Sequence, residues 1–543
     1  MKQLLLIFFF LQSIAAIAQK ADLVLVNGKI FTSDKNNLYV EALAIKSNKI
    51  IAIGKTADIE KMANNSTKKI DLQGKLVIPG FNDAHNHMPD GLDAFHIVFK
   101  EMNPTWTTVA DTLKKVVTQI PKGKWIEITI GPSIANSENS NRFELDKISD
   151  EHPIRLLSWW GHVGIYNTLG MKKMGISITQ PHPKGAHYER VKNSDTLTGK
   201  AFEKNAWSPY TSYDRLSSMR NEKEFITELQ GISKELLQYG ITSYQNMCTG
   251  AIPQDYVKFW QKAGCPFRLR LIKWADIGAN GKFNIPSITN PNTGVPNIKI
   301  SGTKWLLDGT PIEQGAFKIS PYPNRPEWFG KLNYSKEEIK KMCLDAIKRK
   351  DQLIFHIVGG GTIKTVLSVM EKINVDWKSL RPRFEHCDDA DVSEDFLPRI
   401  KKLGIIIVQN PAHLVPFDGN FPEGGLKKGL PLKSIMDNGI PLAIGSDGAT
   451  NPFLNLMLAI THPVRPSEAL TLEDALIAYT KTSAFAEFEE NKKGTLTIGK
   501  LADLTILSQD IFKVIPPDLL KTVSLLTMVN GKIVYNSGVI SVN

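Results

Sequence analysis

Cysteine is scarce in this chain. Only four of the 543 residues are cysteines, and no two of them are closely spaced. They are Cys248, Cys265, Cys343 and Cys387. This pattern argues against a disulfide framework, because a chain of this length can build a stabilising core without crosslinks. We therefore expect free, buried thiols.

The chain also lacks a concentrated basic segment. It has 66 Lys and Arg residues against 55 Asp and Glu, which gives a net charge of +11. The basic residues are dispersed in short runs, such as 122–124 and 348–350, and no basic tail is present. We interpret this charge as an aid to solubility and expect no nucleic acid partner. A glycine run at 359–361 lacks the Lys-Ser/Thr of a phosphate-binding loop.

The first 18 residues have the pattern of a signal peptide. Lys2 provides a positive start, the segment 4–11 is almost wholly apolar, and Ala16-Ile17-Ala18 offers a cleavage site between small residues. The apolar segment is short for a membrane span, and no cysteine follows the cleavage site to carry a lipid. We expect an exported protein, periplasmic or secreted, without a stable membrane anchor; a retained N-terminal anchor is the alternative.

The two ends of the mature chain are rich in short β-type runs. Asn27-Gly28 and Asn530-Gly531 each separate apolar runs, which is a hairpin signal. We predict that residues 19–75 and 491–543 pack together as one small β-sandwich. Residues 76–490 then form the main domain. The composition of the whole chain, 42% hydrophobic and 22% charged, is ordinary for a globular protein.

The main domain alternates strand-like and helix-like segments, which is typical of a parallel sheet with helical crossovers. Eight strands are predicted, at 75–82, 240–245, 268–273, 304–307, 353–357, 383–386, 405–409 and 442–446. The predicted fold is therefore an α/β protein with a (β/α)₈ (TIM) barrel, whose active site would lie at the carboxyl ends of the strands. Residues 89–220 are too many for one crossover, so we predict an inserted subdomain after the first strand that forms a lid or a pocket wall.

Two histidines close the first predicted barrel strand. His85 and His87 are two residues apart, so in an extended strand both side chains point to the same face. Neutral imidazoles in this arrangement can chelate one divalent metal ion. Further candidates stand at other strand ends: Lys304, His356, His386 and Asp447. Their convergence on one edge of a barrel predicts a metal site.

These motifs resemble the amidohydrolase superfamily and, within it, the amidohydrolase-3 group of YtcJ-like hydrolases. The similarity extends over nearly the whole mature chain. It rests on segments 77–87 (VIPGFNDAHNH), 304–309, 383–386, 444–447, 473–480 and 494–504. The resemblance implies a metal-dependent hydrolase that cleaves carbon–nitrogen bonds other than peptide bonds. Its substrate would be a small amide, such as a formamide, an N-acyl compound or a cyclic amide.

The resemblance also implies a role for each candidate. His85 and His87 would hold the first metal, His356 and His386 the second, and Asp447 would bind the first metal and carry the catalytic proton. Lys304 would bridge two metals as a carboxylated lysine, because an ammonium group cannot bind a cation. If Lys304 stays unmodified, a one-metal site of His85, His87, His356 and Asp447 is expected instead. Zinc is the expected metal, as one or two ions.

His162 and Trp305 are the predicted substrate-binding residues. His162 lies in the inserted subdomain, where members of the group carry a Gly-His pair, and Trp305 is an aromatic candidate for the pocket lining. Asp83 and Glu385 are candidate partners that orient the histidines. Alternatives remain open: a mononuclear deaminase or isomerase of the same superfamily, or a binding protein without catalysis. A homodimer is also considered.

Overall fold

The structure is a computed structural model. It describes residues 20–208, 217–278, 280–287, 293–388, 395–415 and 429–543. The signal peptide predicted at residues 1–18 lies outside these ranges and stays a prediction. Within them, no helix has both the length and the apolar character needed to cross a membrane.

Eight parallel strands form the central barrel, numbered here as barrel strands 1–8 in chain order. They are Phe81–Asn86, Ile241–Met247, Arg268–Trp274, Ile298–Leu306, Leu353–Ile357, Arg383–His386, Ile406–Gln409 and Leu442–Ile444. Every neighbouring pair along this series is parallel. The backbone N–H groups of Ser446 and Asp447 donate to the His85 carbonyl at 3.1 and 2.9 Å, which brings the two edge strands together. The predicted α/β barrel is confirmed.

Helices cover the outside of the barrel. The longer ones are Glu222–Gln238, Pro253–Ala263, Lys336–Arg349, Gly360–Met370, Phe396–Leu403, Leu432–Asp437, Pro452–Thr461 and Leu472–Ile477. The last continues through a π-helical turn, Ala478–Thr482, into Ser483–Phe485, and short helices lie at Trp377–Leu380, Pro411–Leu414, Pro466–Glu468 and Pro516–Lys521. Helix Lys336–Arg349 illustrates how the local sequence defines the start of a helix and its buried face. A capping box of Ser335 and Glu338 starts it, and it buries Ile339, Met342, Cys343 and Ala346 on one face.

The predicted strand 75–82 is in fact two strands that belong to different sheets. Leu76–Pro79 pairs with strands near the chain ends, whereas Phe81–Asn86 enters the barrel. Gly80 is the crossing point, and a Cβ atom placed there would lie 2.1 Å from Thr242 Cγ2. The fourth barrel strand was also predicted too short, at 304–307. It begins at Ile298, and Gly302, with φ of +84°, interrupts the apolar pattern.

Strands from both ends of the chain build two further sheets. The six-stranded sheet runs in the order Lys532–Asn536, Ser524–Val529, Leu504–Leu507, Leu76–Pro79, Lys29–Phe31 and Tyr39–Val40. The four-stranded sheet runs in the order Lys49–Gly54, Ala42–Lys46, Leu23–Val26 and Lys68–Asp71, and helix Thr56–Glu60 follows its edge strand. The sheets share one apolar cluster, which includes Leu25 and Leu43 of the smaller sheet and Ile30 and Ile506 of the larger. The two chain ends therefore form a joint β-layer, which also includes strand Leu76–Pro79 from the segment predicted to belong to the main domain.

The segment between barrel strands 1 and 2 contains its own mixed sheet. Its six strands run in the order His187–Arg190, Leu197–Phe202, Val163–Tyr166, Ile154–Ser158, Trp125–Ile130 and Ala94–Ile97. Its helices are Trp106–Val116, Pro132–Ala135, Arg142–Ile148, Thr168–Met174 and Lys204–Trp207. A small ribbon of Asp276–Ile277 and Phe283–Asn284 follows barrel strand 3. The inserted sheet thus follows directly on the strand that carries the His85–His87 pair.

Gly80→Ala is expected to lower the free energy of unfolding by about 1–3 kcal/mol, because the added methyl group overpacks a closed contact. Thr242 is 1% exposed and β-branched, so it has little freedom to turn away. Gly231→Ala is the matched control. Gly231 is exposed in helix Glu222–Gln238 with no atom within 4 Å of an added Cβ, so alanine should stabilise by about 0.5–1 kcal/mol. The measurement is the denaturant midpoint of unfolding for each variant. Equal shifts of this midpoint from wild type in the two variants would contradict the close contact at Gly80.

Candidate metal centre

Histidines from three barrel strands meet at one end of the barrel. The rings of His85 and His386 have centroids 4.8 Å apart, and those of His356 and His386 are 4.5 Å apart. His87, next to the end of strand 1, has its ring 5.4 Å from that of His85. All four predicted histidines therefore lie in one contiguous cluster. Barrel strand 5, Leu353–Ile357, is buried throughout, as expected for a strand of a covered parallel sheet, so it carries His356 on a rigid support.

Asp447 lies at the centre of this cluster. Its Oδ1 is 3.4 Å from His87 Nε2 and 3.7 Å from His85 Nε2, and its Oδ2 is 3.9 Å from His386 Nδ1. Its backbone has a φ of +47°, a left-handed conformation that is uncommon for a non-glycine residue. Burial would raise the pKa of its carboxyl, but His85, His413 and His87 hold that pKa well below its usual range. Asp447 therefore presents a carboxylate to the histidine nitrogens.

A chain of buried hydrogen bonds orients His85. Its Nδ1 lies 2.6 Å from Glu385 Oε2, and Arg383 donates to the same carboxylate at 2.8 and 2.9 Å. Arg383 also donates to the Ala84 carbonyl at 2.7 Å. All of these side chains are within 1% of full burial. Because Nδ1 is engaged, His85 is left with Nε2 directed at Asp447, the arrangement found in metal-binding histidines with an orienting carboxylate.

Lys304 lies on barrel strand 4 and is 1% exposed. Burial lowers the pKa of its ammonium group to about 8, although Glu385 and Asp447 oppose this effect. Its charge acts on the cluster, since burial and Lys304 together lower the pKa of His85 to about 4. The structure thus places the predicted bridging residue beside the histidines.

The donor atoms of the cluster fit a divalent metal. His356 Nε2 and His386 Nδ1 are buried and have no hydrogen-bond partner among the described residues. Burial and neighbouring positive charge lower the pKa of both imidazoles well below its ordinary value, so their lone pairs are free. His85, His386 and Asp447 each offer a ligand atom within 4.8 Å of the others. Neutral imidazoles with a carboxylate are a ligand set for zinc and similar ions.

His162 reaches the cluster from the inserted segment. Its ring centroid lies 5.1 Å from that of His356, and its Nδ1 is 2.8 Å from Glu203 Oε2. The Glu203 backbone N–H also donates to the His162 carbonyl at 2.7 Å, with Glu203 in a strained conformation at φ of +69°. Burial opposes protonation, but Glu203 and Glu313 raise the pKa of His162 to about 9. The inserted segment therefore forms a wall of the site.

Trp305 is not brought into the site. It follows Lys304 in the strand, so its side chain points to the opposite face of the barrel. There it packs against Phe283 and Tyr334, with ring centroids 4.9 and 6.2 Å away, and is 1% exposed. The prediction that Trp305 lines the pocket is corrected to a core role, because strand alternation assigns the inner face to Lys304.

Three acidic residues and one histidine of the site were missed by sequence reasoning. Glu203 and Glu313 flank His162, and Trp160 Nε1 donates to Glu313 Oε2 at 2.9 Å. His413 Nε2 lies 3.3 Å from Asp447 Oδ2, and its Nδ1 is 2.7 Å from Asp388 Oδ2. His413 is on the short helix Pro411–Leu414 after barrel strand 7, not in the strand itself. The sequence signal that could have identified His413 is its position just after the predicted barrel strand 405–409, where the other candidate ligands also lie.

Comparison with known proteins adds a family assignment to this geometry. A family model described as "Amidohydrolase family" matches residues 68–535. The N-substituted formamide deformylase of Arthrobacter pascens is 26% identical, over 95% of this chain and 99% of that protein. The YtcJ protein of Bacillus subtilis is 23% identical, over 94% and 98% of the two chains. An uncharacterised metal-dependent hydrolase from Pyrococcus horikoshii shares the fold, with a TM-score of 0.66 and 19% identity over 91% of this chain and 99% of that chain.

Glu385→Gln is expected to weaken metal binding about 10–100-fold, because it removes the carboxylate charge that orients His85 while keeping the side-chain shape. Competition with a chromophoric chelator on metal-stripped protein measures the affinity. Glu371→Gln is the control, since Glu371 pairs with Arg399 at the surface, at 2.7 Å. Equal metal affinity in the two variants, both folded by circular dichroism, would show that Glu385 does not support the site.

Proposed function

The chain belongs to the amidohydrolase family, and from that premise we propose that it hydrolyses the carbon–nitrogen bond of a small N-substituted formamide or related amide. The observation that carries this proposal is that His85, His87 and His386 face the Asp447 carboxylate and His356 packs against His386, with two imidazole nitrogens buried and unpaired within the described residues. The formamide class is supported by the Arthrobacter relative, which matches almost the full length of both chains.

We propose zinc as the metal, held by His85, His87, His356, His386 and Asp447 in one or two ions. A divalent metal at such a site acts as a Lewis acid that polarises the substrate carbonyl and lowers the pKa of water. If a second ion is held by the ligand set that the family resemblance implies, Lys304 contributes to it as a carbamate. Burial lowers the pKa of Lys304 to about 8, and the neutral amine is the form that can add to carbon dioxide.

Asp447 is the residue proposed to move the proton. Its carboxylate accepts a proton from water as the water oxygen attacks the carbonyl carbon. It then delivers that proton to the nitrogen as the carbon–nitrogen bond breaks. A formamide would yield formate and an amine. The low pKa of Asp447, with His85, His87 and His413 around it, keeps it in the accepting form before the reaction.

His162 is proposed to orient the substrate carbonyl from the opposite wall. Its Nδ1 is held by Glu203 at 2.8 Å, and its ring lies 5.1 Å from that of His356, so a bound amide would lie beside this pair of histidines. Glu203 and Glu313 are positioning residues in this scheme, because they contact the imidazole and not the proposed reacting atoms.

Asp447→Asn is expected to reduce kcat by at least about 100-fold, because the amide cannot accept the proton at neutral pH. Formate and amine release from a panel of N-substituted formamides measures turnover. Asp437→Asn, which alters an exposed ion pair with Lys433, is the control. Wild-type turnover in Asp447→Asn would remove Asp447 from the mechanism. Release of ammonia from amino-heterocycles, with no formate from any formamide, would replace the proposal with a deaminase.

The variants His162→Ala and Trp305→Phe are expected to distinguish a residue that contacts substrate from a residue of the core. His162→Ala should lower kcat/KM by about 10–1,000-fold, as loss of a group that polarises or orients a carbonyl does. Trp305→Phe should lower thermal stability and leave KM unchanged, because Trp305 contacts only core residues among its aromatic neighbours. Steady-state kinetics and thermal melts on both variants provide the measurement. A raised KM in Trp305→Phe alone would reverse the assignment.

A further inference from the structure

We propose that His413 Nε2, His386 Nδ1 and the Oδ2 atom of Asp447 form a binding site for a second divalent cation, with Asp388 as the carboxylate that orients His413. This inference rests on the proposed metal-dependent function. It differs from the ligand set implied by the family resemblance, which places the second metal between His356, His386 and a modified Lys304. His413 and Asp388 have no role in that set.

The first support is the way in which Asp447 divides the histidines. Its Oδ1 faces His87 Nε2 at 3.4 Å and His85 Nε2 at 3.7 Å. Its Oδ2 faces His413 Nε2 at 3.3 Å and His386 Nδ1 at 3.9 Å. Each carboxylate oxygen therefore has its own pair of imidazole nitrogens. A carboxylate shared in this way is suited to bridge two cations, as carboxylates do in two-metal sites.

The second support is the orientation of His413, which matches that of His85. Glu385 holds His85 Nδ1 at 2.6 Å, and Asp388 holds His413 Nδ1 at 2.7 Å. In both cases Nε2 is left to face Asp447. A carboxylate on the far nitrogen is the partner that fixes the ring of a metal-binding histidine.

The third support is a pair of unpaired polar atoms. His386 Nδ1 and Asp388 Oδ1 are buried and have no hydrogen-bond partner in the part of the chain that the structure describes. Their residues are 3% and 5% exposed. Leaving a buried polar atom unpaired costs about 1–3 kcal/mol, so the unpaired His386 Nδ1, which faces Asp447 Oδ2 at 3.9 Å, points to a missing ligand. His386, Asp388 and His413 each offer a donor atom within 4.8 Å of the others.

The turn that carries His413 is anchored, so the site does not depend on a loose loop. The Ala412 backbone N–H donates to Asn455 Oδ1 at 2.8 Å, which ties the turn to helix Pro452–Thr461. Leu414 is fully buried. The His413 ring lies nearly parallel to that of His386, at 21° and 5.5 Å between centroids.

The charge balance also suits this position. Asp447 supplies a carboxylate directly to a +2 ion, Asp388 adds a second negative charge on the far side of His413, and neither has to be modified. The set implied by resemblance needs carbon dioxide to convert Lys304 from an ammonium group to a carbamate before it can bind a cation. The His413 set is therefore complete without bicarbonate, and this difference makes the two sets separable.

The test is zinc content per chain after reconstitution of the metal-stripped full-length protein and removal of free Zn²⁺. Elemental analysis is done on wild type, His413→Ala, Lys304→Ala and the control His96→Ala, whose imidazole is half exposed. Two equivalents are expected in wild type and control with and without bicarbonate. One is expected in His413→Ala, and two in Lys304→Ala. Retention of the first equivalent in His413→Ala shows that the barrel is still folded.

Asp388→Asn provides a second test of the proposed cation site, because this variant keeps both proposed imidazole ligands. Titration of the metal-stripped variant with Co²⁺, followed by visible absorption, should show a normal first site and a second site weakened about 10–100-fold. Two zinc equivalents in His413→Ala, with one in Lys304→Ala, would overturn the proposal in favour of the carbamate set. One equivalent in wild type, unchanged by His413→Ala, would also overturn it while leaving the proposed function intact. No zinc in wild type would instead contradict the proposed function itself.

Discussion

The backbone hydrogen bonds from Ser446 and Asp447 to the His85 carbonyl are the contact on which the site depends. They join the last barrel strand to the first, and in doing so they bring the catalytic candidate Asp447 against the first histidine. Asp83 reinforces the junction, because its carboxylate accepts from the Ser446 and His85 backbone N–H groups at 3.0 and 3.2 Å. The hydrogen bonds that close the barrel thus also bring together the candidate metal ligands of its first and last strands.

A polar layer beneath the centre keeps its histidines in place. Gln245 Oε1 accepts from Arg383 at 2.6 Å and from Arg270 at 3.1 Å, and Arg383 in turn holds Glu385. Buried charges of this kind contribute little net stability, because their desolvation offsets their attraction. Their value here is geometric, since each hydrogen bond limits the orientation of the next group up to His85. The site is therefore supported by the barrel interior and not by loops alone.

The inserted segment supplies the wall of the site that faces the ends of the barrel strands. It contributes His162, Glu203 and Trp160 to the wall opposite the strand ends, and it meets Glu313 from the barrel side. The catalytic groups would then come from rigid strand ends, and the groups that select the substrate from the insertion. In a barrel fold, changes in such a segment can alter the substrate while the groups at the strand ends stay the same.

Much of the fold and part of the site could be predicted from local pattern. The buried strands are continuous apolar runs, and His85, His356 and His386 end such runs, so their convergence follows from the barrel alone. Other features depend on contacts between distant segments. The strand break at Gly80 arises from its contact with Thr242, and the partners of His162 are Glu203 and Glu313.

The sequence by itself therefore determined the barrel, the β-type runs at the two chain ends and the histidines and aspartate at the strand ends, because these follow from the pattern of residues within short segments. Only the tertiary structure decided that Trp305 belongs to the core and that His413, held by Asp388, faces Asp447. Trp305 is excluded by the face that its strand presents, and His413 is included because an anchored turn folds it back over Asp447. Both outcomes depend on how elements pack in space, which the order of residues along one segment does not encode.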